Sequence, residues 1–220
     1  MLPRPPSNRK RGASVPPLPD PKAVFLNVPY DEEFSSLYVA YVVGLYQLGL
    51  EPHLTSEVPG GDRRLNRIIQ LIQSCRYSIH DLSRVELSSA PSAAPRFNMP
   101  LELGMTITWE ILNPDQHTWF VCESEPHRLL KSASDLNGTD AYIHDGTVEG
   151  VFRELRKALR RDLSPSVPDM LTAYRVADNA LNSFLVNNGT DNPYGRSVFT
   201  DLCRLSSRLA AWIRQTRPAV

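Results

Sequence analysis

The sequence predicts an α/β protein: a five-stranded parallel sheet with helices on both faces, followed by a C-terminal helical extension. Three observations carry this expectation. Short apolar runs alternate with helix-length segments in the order β-α-β-α-β-α-β-α-β-α, the pattern of a parallel sheet whose crossovers are helices. At 220 residues the chain is long enough for one sizeable domain with appendages, and its core needs no covalent staples. From residue 163 the stretch "LSPSVPD" breaks the alternation, and two further helical segments follow it. The expected organisation is a tail over 1–21, an α/β domain over 22–162 and a helical extension over 163–220.

The tail is rich in proline and basic residues, with "NRKRG" at its middle, and reads as flexible or polyproline-like. "AVFLNVPY", residues 23–30, is a compact apolar run ending in a proline turn and is the first strand. Asp31, Glu32 and Glu33 sit where a helix first turn favours negative charge. The helix over 34–48 is apolar around much of its surface (Leu37, Val39, Ala40, Val42, Val43, Leu45), as suits a helix buried against a sheet. Gly49 stops it. "LEPHLTSE", residues 50–57, is a weaker strand, demoted by Pro52. Asp62 caps a helix over 63–74 whose stripe is Leu65, Ile68, Ile69 and Ile72.

The third strand, 77–81, is short and central in character. "LSSAPSAAP", 87–95, is a loop. Asn98 is a fair N-cap and Pro100 fits the start of a helix that runs to about Leu112. Strand four spans 118–124, a helical stretch covers 127–135, the fifth strand lies at 141–145, and a helix over 147–159 closes the domain. The extension contains helices over 170–186 and 197–214, joined by "NNGTDNPYG". In the last one, Val198, Leu202, Leu205 and Leu209 form an apolar stripe that must be buried somewhere, against the sheet or in self-association.

Composition narrows the function classes. Lys+Arg and Asp+Glu balance at 24 each, which argues against a globally basic nucleic-acid binder. Cys75, Cys122 and Cys203 are dispersed, without the spacing of a disulfide framework or zinc site, and suit a reducing cytoplasm. No apolar run approaches the roughly 18–20 residues of a membrane span. The N-terminal stretch has no apolar core of a signal peptide. A cytoplasmic protein without a membrane partner is expected.

In an open parallel sheet, ligands bind beyond the carboxyl ends of the strands. Asn27 and Asp31 follow strand one, Asp81 and Ser83 follow strand three, and Glu102 lies in the first turn of the helix before strand four. Neither a glycine-rich dinucleotide fingerprint nor a phosphate loop is present. Two carboxylates at such a crevice suit an oxocarbenium-like transition state, one at the anomeric carbon and one orienting hydroxyls or handling protons. Each also has a structural reading: Glu102 as a favourable first-turn charge, Asp81 as a turn-forming or capping residue. Arg84 and Arg96 flank the crevice and suit bidentate phosphate contacts or surface ion pairs. His80, next to Asp81 on a strand, faces the opposite side, toward core or helix. Trp109, two turns beyond Glu102, reads as packing, and Cys75 and Cys122 read as core.

"IHDLSR" followed by "FNMPLELG" resembles the nucleoside 2-deoxyribosyltransferase-like group, a flavodoxin-like fold related to TIR domains. The stretch 23–159 is similar to bacterial TIR-like proteins of that group. The resemblance implies that Glu102 matches the nucleophilic glutamate and Asp81 the aspartate that contacts the nucleoside. Asn27, Asp31, Ser83, Arg84 and Asn98 would help bind substrate, with Phe25, Tyr30 and Phe97 as candidates for stacking on the base. It implies an N-glycosidic hydrolase or transferase that takes NAD or a nucleotide as substrate, with no separate cofactor or metal, and that self-associates through the extension or the α/β domain. A nucleotide-sensing or protein-interaction module without turnover is the alternative. A stress or antiviral effector that is silent until it assembles is a third.

Overall fold

The computed structural model describes residues 18–55, 63–85, 96–136, 138–160 and 165–216. Residues 1–17 of the tail expected over 1–21, the Asp62 cap and the loop over 87–95 lie outside them. The five strands are β1 (Asp20–Asn27), β2 (Glu51–His53), β3 (Cys75–Asp81), β4 (Thr118–Glu123) and β5 (Tyr142–Ile143). All pair in parallel, in the order β2-β1-β3-β4-β5, the flavodoxin-like arrangement. Pro52, which cannot donate to a ladder, lies on the edge strand. β3, rich in buried residues, lies at the centre.

Side-chain alternation sorts the sheet into two faces. Val24, Leu26, Ile79 and Cys122 face α1 (Ser35–Gln47) and α5 (Val148–Ala158) in one core. Ala23 and Phe25 meet α2 (Arg64–Ser74) on the other face, and Val121 meets α3 (Asn98–Leu112) there. The C-terminal helices α6 (Val167–Asn187) and α7 (Arg196–Thr216) pack on the outer side of α1. This explains why α1 is apolar all round: the sheet covers one side of it and three helices cover the rest. Every residue from Leu37 to Leu45 is buried. Gly49 ends the helix region with φ +78°, a conformation that suits glycine.

Several boundaries differ from the sequence expectation. β1 begins at Asp20, inside the stretch assigned to the tail, and ends at Asn27. The stripe of α2 is rotated: Ile68, Leu71 and Ile72 are buried, whereas Leu65 and Ile69 are exposed. α6 starts before residue 170 because Ser166 caps it, accepting from the Asp169 N–H while its hydroxyl donates to the Asp169 carboxylate. The helical stretch after strand four is short, α4 (Arg128–Ser132) and a 3-10 turn (Ser134–Leu136). The α7 stripe is buried within the chain: Val198 and Leu202 join the α1 core, and Leu205 and Leu209 pack against it. Among the described residues no helix is long and apolar enough to cross a membrane.

Candidate functional site

The chain leaves β1 toward β2 on one side and returns to β3 on the other, so the carboxyl ends of β1 and β3 flank the point where the strand order reverses. A cleft of about 300 Å³ opens there. Its lining includes Asn27 at the end of β1, Tyr30 in the following turn, Thr55 after β2, Arg64 at the start of α2, and Asn98 and Glu102 on α3. Arg96, just before α3, completes it.

Glu102 is the fifth residue of α3, so it lies in the second turn and not the first. Phe97 occupies the N-cap position without a side-chain hydrogen bond, and Asn98 is the first helical residue. The α3 N-terminus therefore does not explain Glu102. Its side chain is nearly fully buried, 3% exposed, yet lines the cleft. Burial pushes its carboxyl up to about 7, against the opposing pull of the Arg64 guanidinium and the Asn98 amide. Near neutral pH both protonation states are populated, as suits a carboxyl that exchanges protons.

Asp81 lies on the other face. His80 is the register partner of Asn27 and shares its face with α2 and α3, so the next residue points toward α1 and α5. The Asp81 carboxylate is fully buried and saturated. Tyr41 of α1 donates to Oδ2 at 2.7 Å, and the Ser83 hydroxyl and N–H donate to Oδ1 at 2.6 and 3.0 Å. The Gly146 N–H donates to His144 Nδ1, and His144 Nε2 lies 3.1 Å from Asp81 Oδ2 without the angle of a hydrogen bond. Asp81 thus ties the ends of β3 and β5 to α1 and does not line the Glu102 cleft. Ser83 is spent on Asp81.

Asp31 caps the 3-10 turn Glu32–Phe34, accepting from the Phe34 N–H. Arg84 and Arg96 both bind its Oδ2, at 3.0 and 2.5 Å. Partial burial works against its charge, but the two guanidiniums outweigh it and hold the carboxyl below its usual range. Arg84 also pairs with Glu33. Of the expected binding residues, Asn27, Asn98 and Glu102 therefore converge on the cleft. Asp31 stands at its rim through Arg96, and Arg84 faces the acidic turn. Among the aromatic candidates only Tyr30 lines the cleft. Phe25 is fully buried against the edge of His80, and Phe97 is solvent-exposed.

Two cleft residues, Thr55 and Arg64, carried no signal in the sequence, because α2 meets the α3 carboxylate only through the fold. The same holds for Tyr194, in the turn between α6 and α7. Its ring stacks on Tyr30 with centroids 4.9 Å apart, and its hydroxyl donates to the Asp31 carbonyl at 2.6 Å. The extension thereby buttresses the cleft rim. Among the described residues no cluster of His, Cys, Asp and Glu has a geometry that could hold a metal ion. No protein-family model matches the chain, and no curated protein matches it significantly.

Proposed function

We propose that the chain cleaves or transfers the N-glycosidic bond of a nucleotide, NAD or a nucleoside monophosphate, as the resemblance to deoxyribosyltransferase-like and TIR-like enzymes implies. The carrying observation is Glu102: a buried carboxyl titrating near 7 in a polar cleft at the strand-order switch. In its ionised form it attacks or stabilises the anomeric carbon as the C–N bond breaks, and the bonding pair leaves with the base. Water or a second base then takes the sugar. Arg64 and Arg96 supply positive charge for a phosphate, and the half-exposed Tyr30 ring supplies a face for the base. A reducing, cytoplasmic setting fits the dispersed thiols, of which Cys75 and Cys122 are buried.

The test is a chromatographic screen for released base from NAD, NADP and common ribo- and deoxynucleotides, at dilute and high protein concentration because turnover in this class can depend on self-association. Wild type is expected to release base with a rate that rises with pH through a midpoint near 7, and Glu102→Gln to lose at least 100-fold. Equal release by both proteins would remove Glu102 from the chemistry.

One observation favours a second reading, a nucleotide sensor without turnover. With Asp81 on the opposite face, Glu102 is the single carboxylate lining the cleft among the described residues. A sensor would bind nucleotide in the wild type and in Glu102→Gln, with no product from either.

A further inference from the structure

Behind the cleft, a chain of hydrogen bonds runs through the layer between the sheet and helices α2 and α3. Asn27 Nδ2 contacts the Met99 carbonyl at 3.1 Å and His80 Nδ1 at 2.9 Å. His80 Nε2 lies 3.0 Å from Ser78 Oγ, which lies 2.9 Å from His117 Nε2, and His117 Nδ1 lies 2.8 Å from the Cys75 carbonyl. All four side chains are buried, with Ser78 and His80 at 0% exposure.

The two ends fix the direction of every bond, because a carbonyl only accepts. At one end, Met99 requires the Asn27 amide nitrogen on its side. That nitrogen's second proton goes to His80 Nδ1, which is therefore bare, so a neutral His80 carries its proton on Nε2 and donates to Ser78. From the other end, Cys75 requires a proton on His117 Nδ1. A neutral His117 then accepts at Nε2 from the Ser78 hydroxyl, which in turn accepts from His80. The two derivations, started independently, meet at Ser78 without conflict. Protonating His80 would set two donors against each other at Asn27, and protonating His117 would take from the Ser78 hydroxyl proton its acceptor. Burial, the largest influence on both rings, likewise keeps them neutral, with His80 lowered to about 3.

Both Asn27 amide protons are thus committed inward, and no protein group among the described residues hydrogen-bonds its Oδ1. We propose that His117, Ser78 and His80 are positioning residues that lock the Asn27 amide, so that Oδ1 is presented to the cleft as a fixed acceptor for a donor on the ligand, a sugar hydroxyl. The inference rests on the cleft being the ligand site, but not on turnover there. A freely flipping amide would accept or donate with equal ease. A locked one selects a hydroxyl-bearing sugar over a group that can only accept, and needs no reorganisation on binding.

The test uses the full chain with nitrogen-15-labelled histidine, whose tautomers are read at pH 7 from long-range proton–nitrogen NMR correlations. The expected pattern is opposite tautomers in one protein: His80 protonated on Nε2 and His117 on Nδ1. A His80 protonated on Nδ1, or either ring doubly protonated, overturns the lock. Asn27→Asp, which removes the donor while keeping the shape, is expected to move the His80 proton to Nδ1 and to perturb His117 through Ser78. An unchanged His117 would break the relay. Calorimetric titration with ribose 5-phosphate tests the ligand side. Wild type is expected to bind, and Ser78→Ala, which cuts the relay without touching the cleft, to bind about tenfold more weakly, the scale of one hydrogen bond. Equal affinity, or no binding by wild type, overturns the acceptor role. A protein that passes these tests and releases no base would keep this inference while losing the glycosidase.

Discussion

At the scale of single residues, the two carboxylates that look alike in the sequence have opposite circumstances. Glu102 is buried but keeps access to a cleft, and burial raises its pKa. Asp81 is fully buried with three direct donors and a facing imidazole, so its charge is spent on structure. Removing Asp81 would leave the Tyr41 and Ser83 hydroxyls and the Ser83 N–H facing one another around a void. Asp81→Ala is therefore expected to cost about 3–5 kcal/mol in urea unfolding. A loss below about 1 kcal/mol would mean that the donors find other partners. What the sequence showed at this scale was residue type and parity along the strand: His80 and Asp81 had to point to opposite faces. Which of those faces α3 covers was not legible, since that depends on a crossover and not on any local pattern.

At the scale of elements, α1 illustrates how far periodicity reaches. Its apolar residues lack a clear stripe because there is no solvent face to leave polar, and the sequence already marked it as deeply buried. α2 is the opposite case. Spacing alone puts its stripe on Leu65, Ile68, Ile69 and Ile72, whereas the face packed on the sheet is Ile68, Leu71 and Ile72, with Leu65 and Ile69 exposed. At the start of α5, Thr147 caps the helix and Gly150 lets it approach the preceding turn. A Cβ on Gly150 would lie 1.9 Å from the His144 carbonyl oxygen, and backbone atoms cannot yield as a side-chain tip can. The helix-propensity gain of alanine, about 1 kcal/mol, does not offset such a clash. Gly150→Ala is expected to destabilise by about 2 kcal/mol or more, measured by thermal or denaturant unfolding. A neutral or stabilising result would show that the β5–α5 turn can shift.

At the scale of the whole molecule, buried ionisable groups set the pH dependence of stability. His80 titrates near 3 in the fold against an ordinary 6.5, so between those values the unfolded chain binds more protons and stability rises with pH. His117 and Asp31, both lowered, act in the same sense, the latter at the acid end. Glu102 and Glu123 titrate near 7 against an ordinary 4.5, so across that window the folded chain binds more protons and stability falls as pH rises. The opposed slopes place the maximum between pH 4.5 and 6.5. Glu102→Gln is expected to be more stable than wild type at pH 8, by about 1–3 kcal/mol, and no more stable at pH 4. Paired melting curves at the two pH values check this. An equal effect at both would mean that Glu102 titrates normally.

The sequence by itself determined the class of fold, the order of its elements, the weakness of the Pro52 strand, the deep burial of α1 and the presence of a carboxylate near the start of α3. These are local or periodic properties, legible because side-chain alternation and helical spacing repeat every two or three to four residues. Tertiary structure alone decided which residues share the cleft. Arg64 comes to Glu102, Tyr194 to Tyr30, and His117 to Ser78 across 39 positions, while Asp81, the second carboxylate of the sequence motif, is turned away. Such meetings depend on the handedness of crossovers and on which sheet face each helix covers, and no short stretch of sequence encodes either.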